Sequence, residues 1–193
     1  MSSGRRRVAW IASLAGVVTL VAGGLWVYET RWVWPKRFAA VEDGRLYRSG
    51  DVWPGQLARL KETYGIRTIL SLNNPEVLET QQERDTALAL GIRWLNVPLT
   101  GDGASTRPDR ERIKAILFDE NGPMLVHCSA GVNRTGLAVG MYRLHRQGWS
   151  LDDVLREMRA FDFEDEPHHE NLRQALAEEA RIAAESRGAP SSP

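Results

Sequence analysis

The amino-acid sequence predicts an α/β domain, built on a parallel or mixed sheet and preceded by one N-terminal transmembrane helix. Two patterns carry this prediction. In residues 41–184, short apolar runs alternate with longer stretches of helical periodicity. Before them lies a long run of uncharged, mostly apolar residues. The hydrophobic content of 42% and the charged content of 26% are those of a globular protein, so a largely disordered chain is excluded.

Charge and cysteine content exclude several kinds of function. The 193 residues include 25 Lys plus Arg and 25 Asp plus Glu, so the formal net charge is zero. A basic nucleic-acid-binding protein is therefore disfavoured, and we expect no nucleic acid partner. Cys128 is the one cysteine of the chain, so neither an intrachain disulfide nor a multi-cysteine zinc site can form. The role of this thiol must be explained on its own.

The N-terminal segment has the features of a membrane anchor. Residues 1–7 contain the basic cluster Arg5–Arg7, and the run that follows, Val8–Tyr28, contains no charged residue. A helix over this run would measure about 30 Å, which matches the hydrocarbon core of a bilayer. We expect a juxtamembrane linker over residues 29–40. Aromatic residues gather at the far end of the run, as in an interfacial belt: Trp26, Tyr28, Trp32 and Trp34.

The charges that flank this run indicate an orientation. Arg5–Arg7 lie directly before it, whereas Arg31, Lys36 and Arg37 follow it. Because positive charge close to a span favours the cytoplasmic side, we expect a single-pass protein of the cell (inner) membrane whose C-terminal domain lies outside the cytoplasm. A cleaved secretory signal is the alternative, although the residues VAG at 21–23 make a poor cleavage site.

The predicted domain occupies residues 41–184, and residues 185–193 form a tail that is expected to be flexible because it is rich in Ser, Pro and Gly. Strands are predicted at three short apolar runs: Arg67–Leu72, Arg93–Val97 and Met124–His127. The helical stretches between and after them give the β/α rhythm of a parallel or mixed sheet.

Capping residues set the helix boundaries. Asn74 and Pro75 open a helix over Glu76–Leu90, which Gly91 ends. Thr106 and Asp109 form a capping box for a helix that continues through Phe118. Ser150 and Asp153 repeat that signal, and the remaining predicted helices are Thr135–Gln147, Leu151–Arg159 and Glu170–Ala184.

The segment after the third strand predicts an anion site. Residues 124–136 read MLVHCSAGVNRTG, a strand followed by a loop and the start of a helix. The backbone N–H groups of such a loop point inward at the positive end of the helix dipole, which suits phosphate or sulfate. Arg134 can add two parallel N–H donors. The expected phosphate-binding residues are Ser129, Ala130, Gly131, Val132, Asn133 and Arg134.

Cys128 is the predicted nucleophile of this site. Amide groups, the helix dipole and a guanidinium all favour the thiolate, and such settings lower a thiol pKa to roughly 3.5–7.5. The thiolate could attack phosphorus and form a cysteinyl-phosphate that water then hydrolyses. The Thr135 hydroxyl can donate a hydrogen bond to the thiolate and stabilise it as a leaving group in the second step.

These residues also carry a resemblance to a known family. His127, Cys128, Arg134, Thr135 and Gly136 form H-C-x5-R-T-G, which resembles the signature of the cysteine-dependent protein tyrosine and dual-specificity phosphatases. VEDGRLYRSGDV at 41–52 and YGIRTILSLNN at 64–74 are similar to the opening strands of compact, atypical dual-specificity phosphatases. The resemblance implies a mixed sheet of four or five strands flanked by helices, and metal-free, two-step hydrolysis of phosphate monoesters, with no cofactor.

The same resemblance implies an aspartate that protonates the leaving oxygen, and the sequence offers two. Asp102 lies between two glycines in a loop before the signature, where it could reach over the site; Asp109 is already accounted for by its capping box. Asp102 is therefore the expected general acid. His127 is expected to have a structural role and to bind backbone near the loop, because a charge-stabilised thiolate needs no base.

The loop composition bears on the substrate. Residues 129–133 contain no Lys or Arg, which favours a singly phosphorylated group such as phosphotyrosine, phosphoserine or phosphothreonine in a protein. A phospholipid, an inositol phosphate or another small phosphate monoester is the alternative, since a membrane anchor and the nearby Arg107, Arg110 and Arg112 could favour it. A non-catalytic phosphate-binding module is a more distant one.

Overall fold

The structure, a computed structural model, describes residues 16–24, 33–119 and 122–188. Its internal contacts divide the chain into two units, with the division between Trp34 and Pro35. In the first unit, residues 16–24 form helix α1, whose side chains are exposed. Within the described residues, no helix is both long and apolar enough to cross a membrane. The remainder of the predicted span Val8–Tyr28 lies outside the described residues.

The second unit is built on a five-stranded sheet. The strands are β1 (Ala39–Glu42), β2 (Leu46–Ser49), β3 (Thr68–Ser71), β4 (Arg93–Asn96) and β5 (Met124–His127). Their order in the sheet is β1-β2-β5-β3-β4. β1 runs antiparallel to β2, and the other neighbouring pairs are parallel. The predicted α/β class with a mixed sheet of four or five strands is confirmed.

The helices of this unit begin and end close to the predicted boundaries. They are α2 (Pro54–Tyr64), α3 (Leu78–Ala89), α4 (Arg107–Asp119), α5 (Asn133–Arg146), α6 (Leu151–Ala160) and α7 (Glu170–Gly188), with a 3-10 turn at Pro167–His169. The capping box of α4 forms as predicted, since the Asp109 carboxylate accepts from the Thr106 N–H and the Thr106 hydroxyl from the Asp109 N–H. Ser150 likewise caps α6.

Helix α2 is not among the predicted elements, although two local signals mark it. Pro54 occupies its first turn, and Gly65 ends it in the left-handed region at φ 67°. Its buried side chains include Leu57 and Leu60. The helix therefore covers part of the core with a short apolar stripe. Its apolar residues are spaced along a helix face and do not form a continuous run, so the sequence analysis did not predict it.

Two predicted domain limits are wrong. Strand β1 begins at Ala39 and pairs with β2, so residues 39 and 40 belong to the domain and not to the predicted linker over 29–40. At the other end, α7 continues through Gly188, so residues 185–188 are helical and not part of a flexible tail. The helix formers directly before and within this stretch, Ala183, Ala184 and Glu185, continue the helix past the Ser and Gly that suggested a tail. Residues 189–193 lie outside the described residues.

The topology brings three chain segments to one edge of the sheet. β5 lies between β2 and β3, and the register pairs its last residue, His127, with both Ser49 and Ser71. Because parallel strands end at the same edge, the residues after β2 and after β3 flank Cys128. Helix α5 then leads away from this edge, and its residues 135–144 are all buried. The loop before α5 is thus fixed at both ends by the core.

Candidate active site

The loop between β5 and α5 is a tight turn around the Cys128 sulfur. The Gly131 N–H donates to Cys128 Sγ at 3.3 Å. Gly131 has a φ of 75°, and a Cβ there would lie 2.6 Å from the Gly50 backbone nitrogen. Both the left-handed backbone and the close approach to the end of β2 therefore require glycine at this position. The result is a backbone amide aimed at the sulfur.

The surroundings of Cys128 favour its thiolate. The side chain is 2% exposed, and the Thr135 hydroxyl donates to Sγ at 3.2 Å. Burial acts to raise the pKa of the thiol, but the Thr135 hydroxyl, the Arg134 charge and the backbone N–H groups of Thr135 and Gly131 outweigh it, so the pKa is lowered from its ordinary value. A lowered pKa is what a sulfur nucleophile needs at neutral pH.

Arg134, in the first turn of α5, is held in place by partners from the neighbouring strand end and the loop. Its Nη1 donates to the Leu72 carbonyl at 3.2 Å and to Asn73 Oδ1 at 3.0 Å, and its Nη2 donates to Ser129 Oγ at 3.2 Å. Among the described residues, Nε is buried without a hydrogen-bond partner. The guanidinium is oriented by protein groups, and Nε is left able to bind a phosphate oxygen.

Asn73 joins these groups, and the sequence reasoning missed it. Its Oδ1 also accepts from Ser129 Oγ at 3.0 Å, and its Nδ2 donates to Asp51 Oδ1 at 2.9 Å. The Asp51 N–H in turn donates to the Ser129 carbonyl at 3.0 Å. Segments following β2, β3 and β5 are therefore tied together at the base of the loop. A polar residue directly after a buried strand was the available sequence signal.

Asp102 lies in a loop that contacts the start of α5. The Asn133 side chain donates to the Gly101 carbonyl at 3.2 Å. Gly103, at φ 83°, packs so tightly that a Cβ would lie 2.5 Å from Leu172 Cδ1. Asp102 Oδ1 accepts from the Thr100 hydroxyl at 2.6 Å and from the Ala104 N–H at 3.1 Å, and these bonds lower the pKa of its carboxyl. The loop that carries Asp102 thus adjoins the residue before Arg134.

Comparison with known proteins decides the family. Residues 32–186 match the family described as the tyrosine phosphatase family. The chain belongs to this family. It is accordingly a cysteine-dependent hydrolase of phosphate monoesters, with a fold that solved phosphatase structures share.

The relatives of this phosphatase include a dual specificity protein phosphatase and inositol diphosphatases. It is 28% identical over 190 residues to the dual specificity protein phosphatase TpbA of Pseudomonas aeruginosa, which covers 90% of this chain and 81% of that protein. It is 35% identical over 130 residues to inositol diphosphatase DSP3 of Arabidopsis thaliana, which covers 64% of this chain and 61% of that protein. The match thus spans under two thirds of the plant protein's length.

A solved structure resembles this phosphatase across most of its length. The core catalytic domain of the PP-IP phosphatase SIW14 from S. cerevisiae, in complex with citrate, is 27% identical and superposes with a TM-score of 0.63. The superposition covers 81% of this chain and 96% of that one. The five-stranded sheet and its flanking helices are therefore the fold of this family.

His127 binds a partner that the sequence did not predict. Its Nε2 lies 3.0 Å from Glu83 Oε1 of helix α3, and not against loop backbone, while Trp94 Nε1 donates to the same oxygen at 2.7 Å. The ring is completely buried, which acts to lower its pKa, but the carboxylate charge outweighs burial and raises it. The expected backbone contact is wrong because α3 brings a buried carboxylate beneath the loop. His127 still has a structural role here.

One flank of the loop is acidic. An open cavity of about 360 Å³ adjoins Val132 and Asn133, and carboxylates of the segment before α7 also line it, among them Glu164 and Glu166. Arg110, one of three arginines considered as a source of positive charge, is instead buried and bonds Glu178 and Glu179. Arg110 lies in the first turn of α4, on the side that faces α7. It therefore supplies no charge to the loop.

Proposed function

We propose that the protein is a membrane-anchored cysteine-dependent phosphatase that removes phosphate from phosphotyrosine, phosphoserine or phosphothreonine in proteins, through a cysteinyl-phosphate intermediate. The observation that carries the chemistry is the Cys128 sulfur, buried under the Gly131 amide and beside the Thr135 hydroxyl, with Arg134 fixed at the same loop. This arrangement stabilises an anion on sulfur and a dianion above it.

In the first step, the Cys128 thiolate attacks phosphorus in line and the phosphorus–oxygen ester bond breaks. Arg134 and the loop amides hold the equatorial oxygens as charge redistributes among them. Asp102 donates a proton to the leaving oxygen. To carry that proton, Asp102 has to leave the hydrogen bonds from the Thr100 hydroxyl and the Ala104 N–H, which lower the pKa of its carboxyl. The step therefore requires a local rearrangement of its loop.

In the second step, water attacks phosphorus and the sulfur–phosphorus bond breaks, which returns the electron pair to sulfur. Asp102, now ionised, accepts the proton from that water. The Thr135 hydroxyl stabilises the departing thiolate through its 3.2 Å hydrogen bond. Phosphate then leaves the loop, and no metal ion or cofactor takes part in either step.

The preference for a singly phosphorylated protein residue follows from charge around the loop. Residues 129–133 contain no Lys or Arg, and the adjacent cavity is lined by the carboxylates of Asp162, Glu164 and Glu166 together with His168 and His169. Carboxylates beside the site disfavour a substrate that carries several phosphates close together, because like charges repel. A phosphorylated side chain flanked by neutral or basic residues meets no such penalty.

An inositol diphosphate is the second candidate substrate. It is favoured by the relatives named inositol diphosphatase in Arabidopsis thaliana and by the likeness to the yeast PP-IP phosphatase. A panel of phosphopeptides, inositol phosphates, inositol diphosphates and phospholipids separates the candidates. We expect the highest kcat/KM on phosphopeptides; turnover confined to the inositol compounds or the lipids would refute the proposed substrate class. Retained phosphate binding without any turnover would indicate the non-catalytic module.

Membrane anchoring through Val8–Tyr28 is the remaining part of the proposal. It is supported by the uncharged run, by the basic cluster Arg5–Arg7 before it and by the aromatic residues at its far end. The flanking charges favour an orientation in which the anchor lies in the inner membrane and the phosphatase domain lies outside the cytoplasm. Fusion of reporters to the C-terminus tests this: activity of an alkaline phosphatase reporter is expected, and activity of a cytoplasmic fluorescent reporter instead would reverse the orientation.

A further inference from the structure

Two arginines outside the signature bind the outer side of the phosphate loop. Arg37 Nη1 donates to the Ala130 carbonyl at 2.9 Å. Arg48 Nη2, from strand β2, donates to the Gly131 carbonyl at 2.8 Å. The two carbonyls are consecutive in the loop. Arg37 and Arg48 therefore hold the very stretch of backbone whose amides line the site.

Peptide geometry links each outer carbonyl to an inner amide. In a trans peptide the C=O and the following N–H point in opposite directions. The Ala130 carbonyl faces Arg37, and the Gly131 N–H of that same peptide donates to Cys128 Sγ at 3.3 Å. By the same geometry, the Val132 N–H points away from Arg48. An arginine on the outside thus fixes the direction of a donor on the inside.

Arg48 is an unusual group to bury at this point. Its side chain is 1% exposed and its guanidinium stacks over the Phe161 ring at 3.7 Å. Among the described residues, its Nε and Nη1 have no hydrogen-bond partner. Burial lowers its pKa to about 10, although the negative charges of Glu157 and the Cys128 thiolate act to raise it. A buried cation with so few partners is costly, and the hydrogen bond that the described residues give Arg48 is the one to the Gly131 carbonyl of the loop.

We propose that Arg37 and Arg48 are positioning residues that hold the carbonyls of Ala130 and Gly131 outward. The N–H groups of the same two peptides, those of Gly131 and Val132, then face the thiolate and the bound phosphate. The proposal rests on the loop being the phosphate site described above. It predicts that both arginines act on the thiol and on phosphate affinity without contacting substrate. Their loss frees the peptides to rotate, which places carbonyl oxygens where donors are needed.

The first test compares Arg48→Met with Arg143→Met. Arg143 is the control, because it is also buried, binds a carbonyl (Val41, 2.8 Å) and stacks on an aromatic ring (Trp149, 4.3 Å). It differs from Arg48 in its ion pair with Glu157, and within the part of the chain that the structure describes it makes no hydrogen bond to the loop. We expect Arg48→Met to lower kcat/KM by about 10²-fold. It should also weaken inhibition by inorganic phosphate and shift the pH dependence of Cys128 alkylation by iodoacetamide to higher pH. Arg48→Lys, which keeps the charge and one donor, should restore part of each.

The second test uses Arg37, which is partly exposed and also forms an ion pair with Asp162 through Nε and Nη2. We expect Arg37→Gln to lower kcat/KM by roughly 10-fold, since one donor to the loop is lost. It should also shift the pH dependence of Cys128 alkylation to higher pH, as Arg48→Met does. Arg159→Gln, an exposed arginine whose one described ion pair is a 4.0 Å contact with Asp165, is the control and should leave both unchanged.

The outcomes separate the two proposals. If both loop variants match their controls in alkylation profile and in phosphate affinity, the positioning role is refuted. If Arg48→Met does not fold, the Arg37→Gln comparison decides alone. A wild-type protein that turns over no phosphate ester would defeat the proposed function, yet protection of Cys128 from alkylation by inorganic phosphate would still report whether the arginines shape the loop.

Discussion

Asn73 and Arg134 meet at the edge of the sheet, where Asn73 Oδ1 accepts a hydrogen bond from Arg134 Nη1 at 3.0 Å. The two residues are far apart in sequence and are joined only because β3 and β5 are neighbours in the sheet. Asn73 is in turn held by Asp51, through a hydrogen bond from its Nδ2 to Oδ1. The Arg134 guanidinium is therefore oriented by residues outside the signature.

Asn73→Ala is expected to weaken phosphate binding. Removal of a hydrogen bond to a charged group costs about 1.5–3 kcal/mol, which corresponds to a loss of roughly 10- to 100-fold in kcat/KM. Steady-state kinetics and inhibition by inorganic phosphate measure it. The adjacent Asn74→Ala is the control, because Asn74 Oδ1 accepts from the Glu76 N–H and, among the hydrogen bonds of the described residues, none joins Asn74 to Arg134. Equal effects of the two substitutions would argue against the orienting role.

Arg134→Lys should impair both binding and turnover even though the positive charge is kept. A lysine cannot offer two parallel donors while it also bonds Asn73 and Ser129. We expect kcat/KM to fall by about 10²–10³-fold. Arg146→Lys, an exposed position at the end of the same helix, is the control. Near-wild-type kinetics for Arg134→Lys would show that the forked contact is dispensable.

Asp102→Asn should slow hydrolysis of substrates with poor leaving groups by about 10²–10⁴-fold and have less effect on activated aryl phosphates, since a good leaving group needs no proton. Loss of the alkaline limb in the pH–rate profile should accompany it. Asp109→Asn weakens the cap of α4 instead and should change stability more than rate. The opposite pattern would transfer the acid role to Asp109.

The buried carboxylate of Glu179 predicts a pH-dependent stability. Burial acts to raise the pKa of Glu179, but hydrogen bonds from His145, Lys114 and Arg110 outweigh it and lower the pKa to about 2. Because the folded pKa lies below the ordinary value of 4.5, the stabilisation is complete above that pH and is lost as the pH falls toward about 2. Urea unfolding at a series of pH values measures it.

A substitution isolates this contribution. Glu179→Gln removes the buried carboxylate that Arg110, Lys114 and His145 share, so we expect a loss of about 3 kcal/mol in the free energy of unfolding at neutral pH. In the same variant, the free energy of unfolding should depend less steeply on pH between about 2 and 4.5. Glu185→Gln removes an exposed ion pair with Arg181 and should change little. A Glu179→Gln protein as stable as the Glu185→Gln protein would contradict the role assigned to this cluster.

Apart from Asp102, the site residues that the sequence predicted are neighbours within one short segment of the chain. Cys128, Gly131, Arg134 and Thr135 belong to one strand–loop–helix segment, so their mutual geometry follows from local backbone rules. The predicted donation from the Thr135 hydroxyl to the Cys128 sulfur is present in the structure. The catalytic role of Asp102 stays a prediction, because its carboxylate is bonded to Thr100 in the described conformation.

The parts that depend on strand order could not be predicted. Asn73 and Arg48 reach the loop from the end of β3 and from β2, because β5 is inserted between these two strands. Glu83 of α3 bonds His127 at the end of β5. Parallel pairing is non-local, and periodicity reports which residues form a strand but not which strand lies beside it. The same limit explains why Arg110 was considered a source of charge at the loop when it is paired with Glu179.

The central claim is that the Cys128 sulfur becomes covalently bound to phosphorus during turnover. Rapid mixing with a ³²P-labelled phosphopeptide, quenching within the first turnover and peptide mapping test it directly. We predict label on the peptide that contains Cys128, none in Cys128→Ser, and retained phosphopeptide binding by that variant. Turnover without label on the protein, label on another residue, or activity of Cys128→Ser equal to wild type would contradict the account.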